Sequence, residues 1–203
     1  MCIKNYLLTN MAFVVVDLDG CLVDDVHETF GRFLRREDSG TEHMFKELIF
    51  NVLDRIPTVV DSVAKRIDVE KELNMYVVKA LKTIYDSGFE IVVRTANRKI
   101  GKVGADRIKS VLKGYGIDAS VELTEDKYKY AERNGERPAL LLDDKPNVVI
   151  NAARKGIRSV LIRTDYNRAA GFFIRGVNNL VSIAAPEDMN NACVRALRQR
   201  ATA

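Results

Sequence analysis

The segment FVVVDLDGCLVDD, Phe13 to Asp25, decides the fold of this chain. Its first four residues are apolar and three of them are β-branched, a run suited to a short strand covered on both faces. Such a strand implies a sheet with helices on each side. It runs directly into Asp17 and Asp19, with Leu18 alone between them. On a continuing strand both carboxylates would face the same side. Gly20 instead allows the chain to turn, so that the two can approach a reacting atom from different directions. Their mutual repulsion at the mouth of an apolar sheet is a reason to expect a cation.

Working outward, strands and helices alternate after residue 74. Met75 to Asp86 reads as a helix stopped by Gly88, and Phe89 to Val93 as a strand. Ile100 to Lys113 reads as a helix closed by Gly114 and Gly116, followed by a strand from Ala119 to Leu123. Tyr128 to Asn134 looks helical, Ala139 to Leu142 is an apolar strand, and Pro146 to Lys155 is a helix ended by Gly156. Arg158 to Ile162 and Leu180 to Ile183 complete the strands before a last helix from Pro186 to about Arg198. The pattern predicts βαβ units, hence an α/β, Rossmann-like parallel sheet built from residues 11–23 and 75–203. Residues 24–74 depart from it. There Phe45, Leu48, Ile49, Val52, Leu53 and Ile56 keep helical spacing up to Pro57, and Val59, Val60, Val63 and Ile67 begin another amphipathic stretch. A small helical insertion after the first strand is expected.

Charge is distributed unevenly between these parts. From Gly20 to Glu72 eight Lys/Arg face twelve Asp/Glu, although the whole chain of 203 residues carries +4. Arg94, Arg98, Lys99, Lys102, Arg107, Lys109 and Lys113 are accompanied only by Asp106. A basic segment of this kind raises the local concentration of a phosphorylated substrate, or is simply a solvated helix face. Cys2, Cys21 and Cys193 are far apart without CxxC spacing, so free thiols are expected rather than disulfides or a zinc site. His27 and His43 share no ligand spacing. No apolar run of about 18 residues and no basic-then-apolar leader is present, so the expectation is a soluble, cytoplasmic protein without membrane contact.

Parallel sheets bind ligands at the carboxyl ends of their strands. Asp17 and Asp19, Arg94 and Thr95, and Asp143 and Asp144 all fall at such ends, with Lys127 and Lys129 just ahead of the Ala139 strand. Clustered carboxylates offer the hard oxygen ligands that suit Mg²⁺, a cation that keeps several waters and favours phosphate substrates.

These motifs, in this order, resemble those of the haloacid dehalogenase-like phosphohydrolases. DLDGCLVDD is similar to that superfamily's DxDG opening, Thr95 in IVVRTANR to its second motif, Lys127 in EDKYKYA to its third, and LLLDDKP to its acidic fourth. Lys129 competes with Lys127 for the third position. The resemblance spans roughly residues 13 to 165 and implies a strand order 5-4-1-2-3, with residues 24–74 as a cap or flap. It implies Asp17 as nucleophile and Asp19 as general acid and base. It implies Mg²⁺ held by the Asp17 carboxylate, the Asp19 carbonyl and Asp143, with Asp144 binding directly or through water. Thr95, the N–H of Ala96 and Lys127 would hold the phosphoryl oxygens.

The implied activity is Mg²⁺-dependent hydrolysis of a phosphomonoester through a phosphoaspartate. The implied substrate is a phosphorylated small molecule, a nucleotide or nucleic-acid end being the alternative within the same superfamily. A dehalogenase lacks the acid/base aspartate, so Asp19 argues against that activity. Receiver domains place their acceptor Asp on a later strand, which the order found here disfavours. A non-catalytic phosphate-binding protein is the remaining alternative, and the oligomeric state is left open.

Overall fold

The computed structural model describes residues 12–23, 73–95, 101–124, 133, 135–164, 167, 174 and 179–198. Six strands form one sheet: β1 (Phe13–Asp17), β2 (Glu90–Thr95), β3 (Ala119–Leu123), β4 (Leu140–Asp143), β5 (Ser159–Ile162) and β6 (Val181–Ala184). All neighbouring pairs are parallel. The helices are α1 (Met75–Asp86), α2 (Gly101–Gly114), α3 (Pro146–Arg154) and α4 (Met189–Arg198). None of the helices among the described residues is long and apolar enough to cross a membrane.

The sheet order is β3-β2-β1-β4-β5-β6. Its first five positions, read backwards, are the expected 5-4-1-2-3. The difference is β6, which pairs along the whole of β5 and extends the sheet at that edge. Boundaries also shift. β2 runs on through Arg94 and Thr95 because both neighbours offer register partners there, Asp17 and Glu122 to Arg94 and Leu123 to Thr95. The last helix opens as a 3₁₀ turn, Pro186–Asp188, before α4 begins. The expected insertion helices in 24–72 lie outside the described residues, as does the expected helix at 128–134 except for Arg133.

Strand alternation explains how the central strands pack on both faces of the sheet. Val14, Val16, Ile91, Val93, Leu140 and Leu142 face a large cluster containing α1, α2 and α4 through Leu81, Ile84, Ile108, Leu112, Met189 and Ala192. Phe13, Val15, Val92 and Leu141 face the other way, against Val148 and Ala152 of α3. β1 therefore has no solvent-facing side; all five of its residues are buried. Each large aliphatic chain buried this way contributes about 1.5–3 kcal/mol, enough to fix the position of the acids at the strand's carboxyl end.

Local signals set the ends of α1. The Asn74 side chain accepts from the Val77 N–H at 3.3 Å, capping the first turn. At the other end Gly88 N–H donates to Tyr85 and Phe89 N–H to Ile84, the paired bonds of a Schellman stop, with Gly88 at φ +88°. Val23 and Leu73 form an antiparallel bridge, and Asn74 N–H donates to the Leu22 carbonyl at 2.9 Å. The chain thus leaves for the insertion and returns from it at adjacent points beside the end of β1.

Candidate metal centre

The register of the central strands assembles the site. β1 and β4 are adjacent, with Val16 opposite Leu142, so Asp17 and Asp143 end neighbouring strands side by side. Both continue the alternation of Val15 and Leu141, which face α3. Asp144 follows at the first residue past β4. Asp17, Asp143 and Asp144 are each at most 1% exposed. One carboxylate oxygen from each lies within 4.8 Å of those of the other two. Opposite oxygens on a single Mg²⁺ stand about 4.2 Å apart, and on Ca²⁺ about 5 Å, so this spacing suits one hard divalent cation. Three buried carboxylates also supply the hard, negatively charged oxygens that such an ion takes as ligands.

Backbone geometry holds the trio in place. Asp143 Oδ1 accepts from the Lys145 N–H at 2.8 Å, a short turn that leads into α3 through Pro146. Gly20 has φ +79°, and a Cβ there would stand 2.3 Å from Asp144 Oδ2. Glycine is therefore required at this position twice, for the left-handed turn and for the space that the Asp144 carboxylate occupies. The next residue, Cys21, is wholly buried. Burial first, then the charges of Asp17, Asp144 and Asp143, push its thiol well above the usual range. The Cys193 thiol is pushed up to about 12 by burial. Both are free, as expected; Cys2 lies outside the described residues.

Asp19 belongs to a different arrangement. It is partly exposed, and its Oδ2 accepts from Thr95 Oγ1 at 2.8 Å. Thr95 is fully buried at the end of β2. The turn that carries Asp19 is closed by bonds from Leu22 N–H to the Asp17 and Leu18 carbonyls and from Gly20 N–H to the Val23 carbonyl. The carboxylate of Asp19 thus stands apart from the trio and beside a hydroxyl. Of the expected site residues, the structure brings together Asp17, Asp143 and Asp144, and separately Asp19 with Thr95. Ala96, Lys127 and Lys129 lie outside the described residues.

Two features escaped sequence reasoning. Arg94, 5% exposed, donates through Nε to Glu122 Oε2 at 2.8 Å, and Arg133 reaches both Glu122 and Glu90. Glu122 sits opposite Arg94 in register, a pairing visible only once β2 and β3 are aligned. Asn167 is 3% exposed and bonds to the Asp144 carbonyl. In the string RTDYNR nothing separates it from a surface asparagine.

The chain matches no family model, no curated protein and no solved structure.

Proposed function

We propose that the chain is a cytoplasmic Mg²⁺-dependent phosphohydrolase of the haloacid dehalogenase-like kind, acting on a phosphomonoester through a phosphoaspartate. The observation that carries this reading is the division of the four acids at the carboxyl end of the sheet: three buried carboxylates within reach of one cation, and a fourth held aside against Thr95. A bare cation-binding module has no use for the fourth.

In this reading Asp17, Asp143 and Asp144, together with the carbonyl of Asp19, would hold Mg²⁺. The ion, when bound, offsets the repulsion between the Asp17 carboxylate and the phosphate dianion. Asp17 attacks phosphorus, and the ester P–O bond breaks as the leaving oxygen takes a proton from Asp19. Asp19, now a carboxylate, removes a proton from water. That water attacks phosphorus, the acyl-phosphate bond breaks, and Asp17 is regenerated with release of phosphate. Thr95 sits one strand from Asp17 and steers Asp19, while Ala96 and Lys127 supply further donors to the phosphoryl oxygens by resemblance. Lys102, Lys109 and Lys113 are exposed along α2, which supports an anionic substrate drawn in by charge.

The test is phosphate release from an aryl phosphate with Mg²⁺ and with a chelator. The wild-type chain hydrolyses the ester only with the metal. Asp17→Asn loses activity on the order of 10⁶-fold, the scale seen when a covalent nucleophile is removed. Appreciable residual turnover in a clean preparation would exclude Asp17 as nucleophile.

A further inference from the structure

Asp144 lies one residue beyond the last ladder pair of β4 with β5, Asp143 opposite Leu161. From there on, the Asn167 side chain joins the two strand ends. Its Nδ2 donates to the Asp144 carbonyl at 2.7 Å and to the Ile162 carbonyl at 2.7 Å, while its Oδ1 accepts from the Thr164 N–H at 2.9 Å. Both amide protons are used, and an acceptor is used as well. The partners also fix which way the amide points, because two carbonyls demand the nitrogen and an N–H demands the oxygen. At 3% exposure water cannot easily replace these bonds.

Through its side chain Asp144 meets the turn that follows β1. Its carboxylate occupies the space beside Gly20 where a Cβ would stand 2.3 Å from Oδ2 and 2.8 Å from Cγ. Asp144 is thus held at both ends, by its main chain on β5 through Asn167 and by its side chain against the turn after β1. A carboxylate held in this way cannot follow a displaced backbone without losing its place beside Asp17 and Asp143.

We propose that Asn167 is a positioning residue for the acidic trio: by tying the Asp144 main chain to the end of β5, it sets the affinity of the centre for a divalent cation without touching the ion. This inference rests on the reading that the trio binds a cation. It extends that reading to a residue that lies outside every motif that carries the resemblance, 23 positions along the chain from Asp144.

The test uses the full 203-residue chain. Mn²⁺ binding is followed by loss of the free-ion electron paramagnetic resonance signal, Mg²⁺ binding by competition, and thermal stability in the presence of a chelator. Asn167→Ala weakens Mn²⁺ binding about 10–100-fold, the range found when groups supporting metal ligands are removed. Val149→Ala serves as the control for lost stability alone, since Val149 is fully buried among Ala153, Leu161 and Val181. It lowers the melting temperature and leaves Mn²⁺ affinity unchanged.

Should Asn167→Ala fail to fold, Asn167→Asp carries the test. This variant keeps the shape and the acceptor for Thr164 but replaces the donors to Asp144 with a negative charge. Charge alone would tighten cation binding, whereas loss of the clamp weakens it, so the sign of the change decides. Wild-type affinity in Asn167→Ala, or tighter binding in Asn167→Asp, overturns the role given to Asn167. A wild-type chain that binds no Mn²⁺, or an Asp144→Asn variant that binds as well as wild type, overturns the metal centre itself.

Discussion

β1 and β4 lie side by side and each leads into a pair of aspartates, yet the two pairs are built differently. After β4 the acids are adjacent, both are buried, and the chain passes at once into α3. After β1 they are separated by Leu18; Asp17 is buried and Asp19 is carried outward by the turn at Gly20 to meet Thr95. The adjacent pair adds two buried carboxylates to the trio. The separated pair gives the trio one carboxylate and sets the other beside the Thr95 hydroxyl, where the proposed mechanism has it exchange protons with a substrate. Spacing by a single residue, with a glycine next, is what gives two like groups two different placements.

Changes at β1 should therefore affect chemistry in two distinct ways. Asp17→Asn, with its loss on the order of 10⁶-fold, is the largest effect expected. Asp19→Asn should cost about 10²–10⁴-fold, the usual contribution of a positioned acid or base. The two variants differ in kind as well as size. An aryl oxide leaves without needing a proton, so Asp19→Asn should still form the phosphoenzyme and be slow to hydrolyse it. Rapid-quench measurements should find a burst of aryl oxide followed by slow turnover. Equal slowing of both phases would show that the two carboxylates do not divide the work as the geometry suggests.

Gly20→Ala bears on the boundary between the two pairs. A left-handed non-glycine residue costs about 1–3 kcal/mol by itself. The added Cβ must also displace the Asp144 carboxylate, since 2.3 Å is far inside van der Waals contact. The expected result is a lower melting temperature together with weaker Mn²⁺ binding. If stability falls and cation affinity does not, Asp144 is not held by this contact and the two strand ends are less coupled than their packing implies.

The parts of the site legible in the sequence are those that interrupt a pattern. FVVV gives way to Asp17, IVV to Arg94 and Thr95, and LLL to Asp143 and Asp144, and a polar residue at the end of an apolar run marks a strand's carboxyl end. The five-strand order came from a family resemblance, whereas the pairing of β6 with β5 depends on how the chain returns after residue 163, which carries no periodic signal. The same holds for Glu122 and Asn167. Each acts across a register, toward a residue 28 positions away for Glu122 and 23 positions away for Asn167. Hydrogen bonds of that kind have no counterpart in local spacing, so an ordinary glutamate and an ordinary loop asparagine conceal them.

A second asparagine provides the sharpest control on the comparison. Asn74 stands beside the turn after β1, where the insertion rejoins the core, and its N–H donates to Leu22. Its side chain makes the single bond that caps α1, at 3.3 Å and partly open to solvent. Asn167 uses three bonds at a buried position to fix the main chain of a site residue. Asn74→Ala should therefore cost about 1 kcal/mol, the usual value for a lost N-cap. Its main-chain bond to Leu22 survives the substitution, so the turn carrying Asp19 keeps its anchor and cation affinity should not change. Chemical denaturation with and without Mn²⁺ separates the two effects. Equal loss of stability under both conditions is expected, and a larger loss with the metal present would mean that α1 as well as β5 supports the acidic trio.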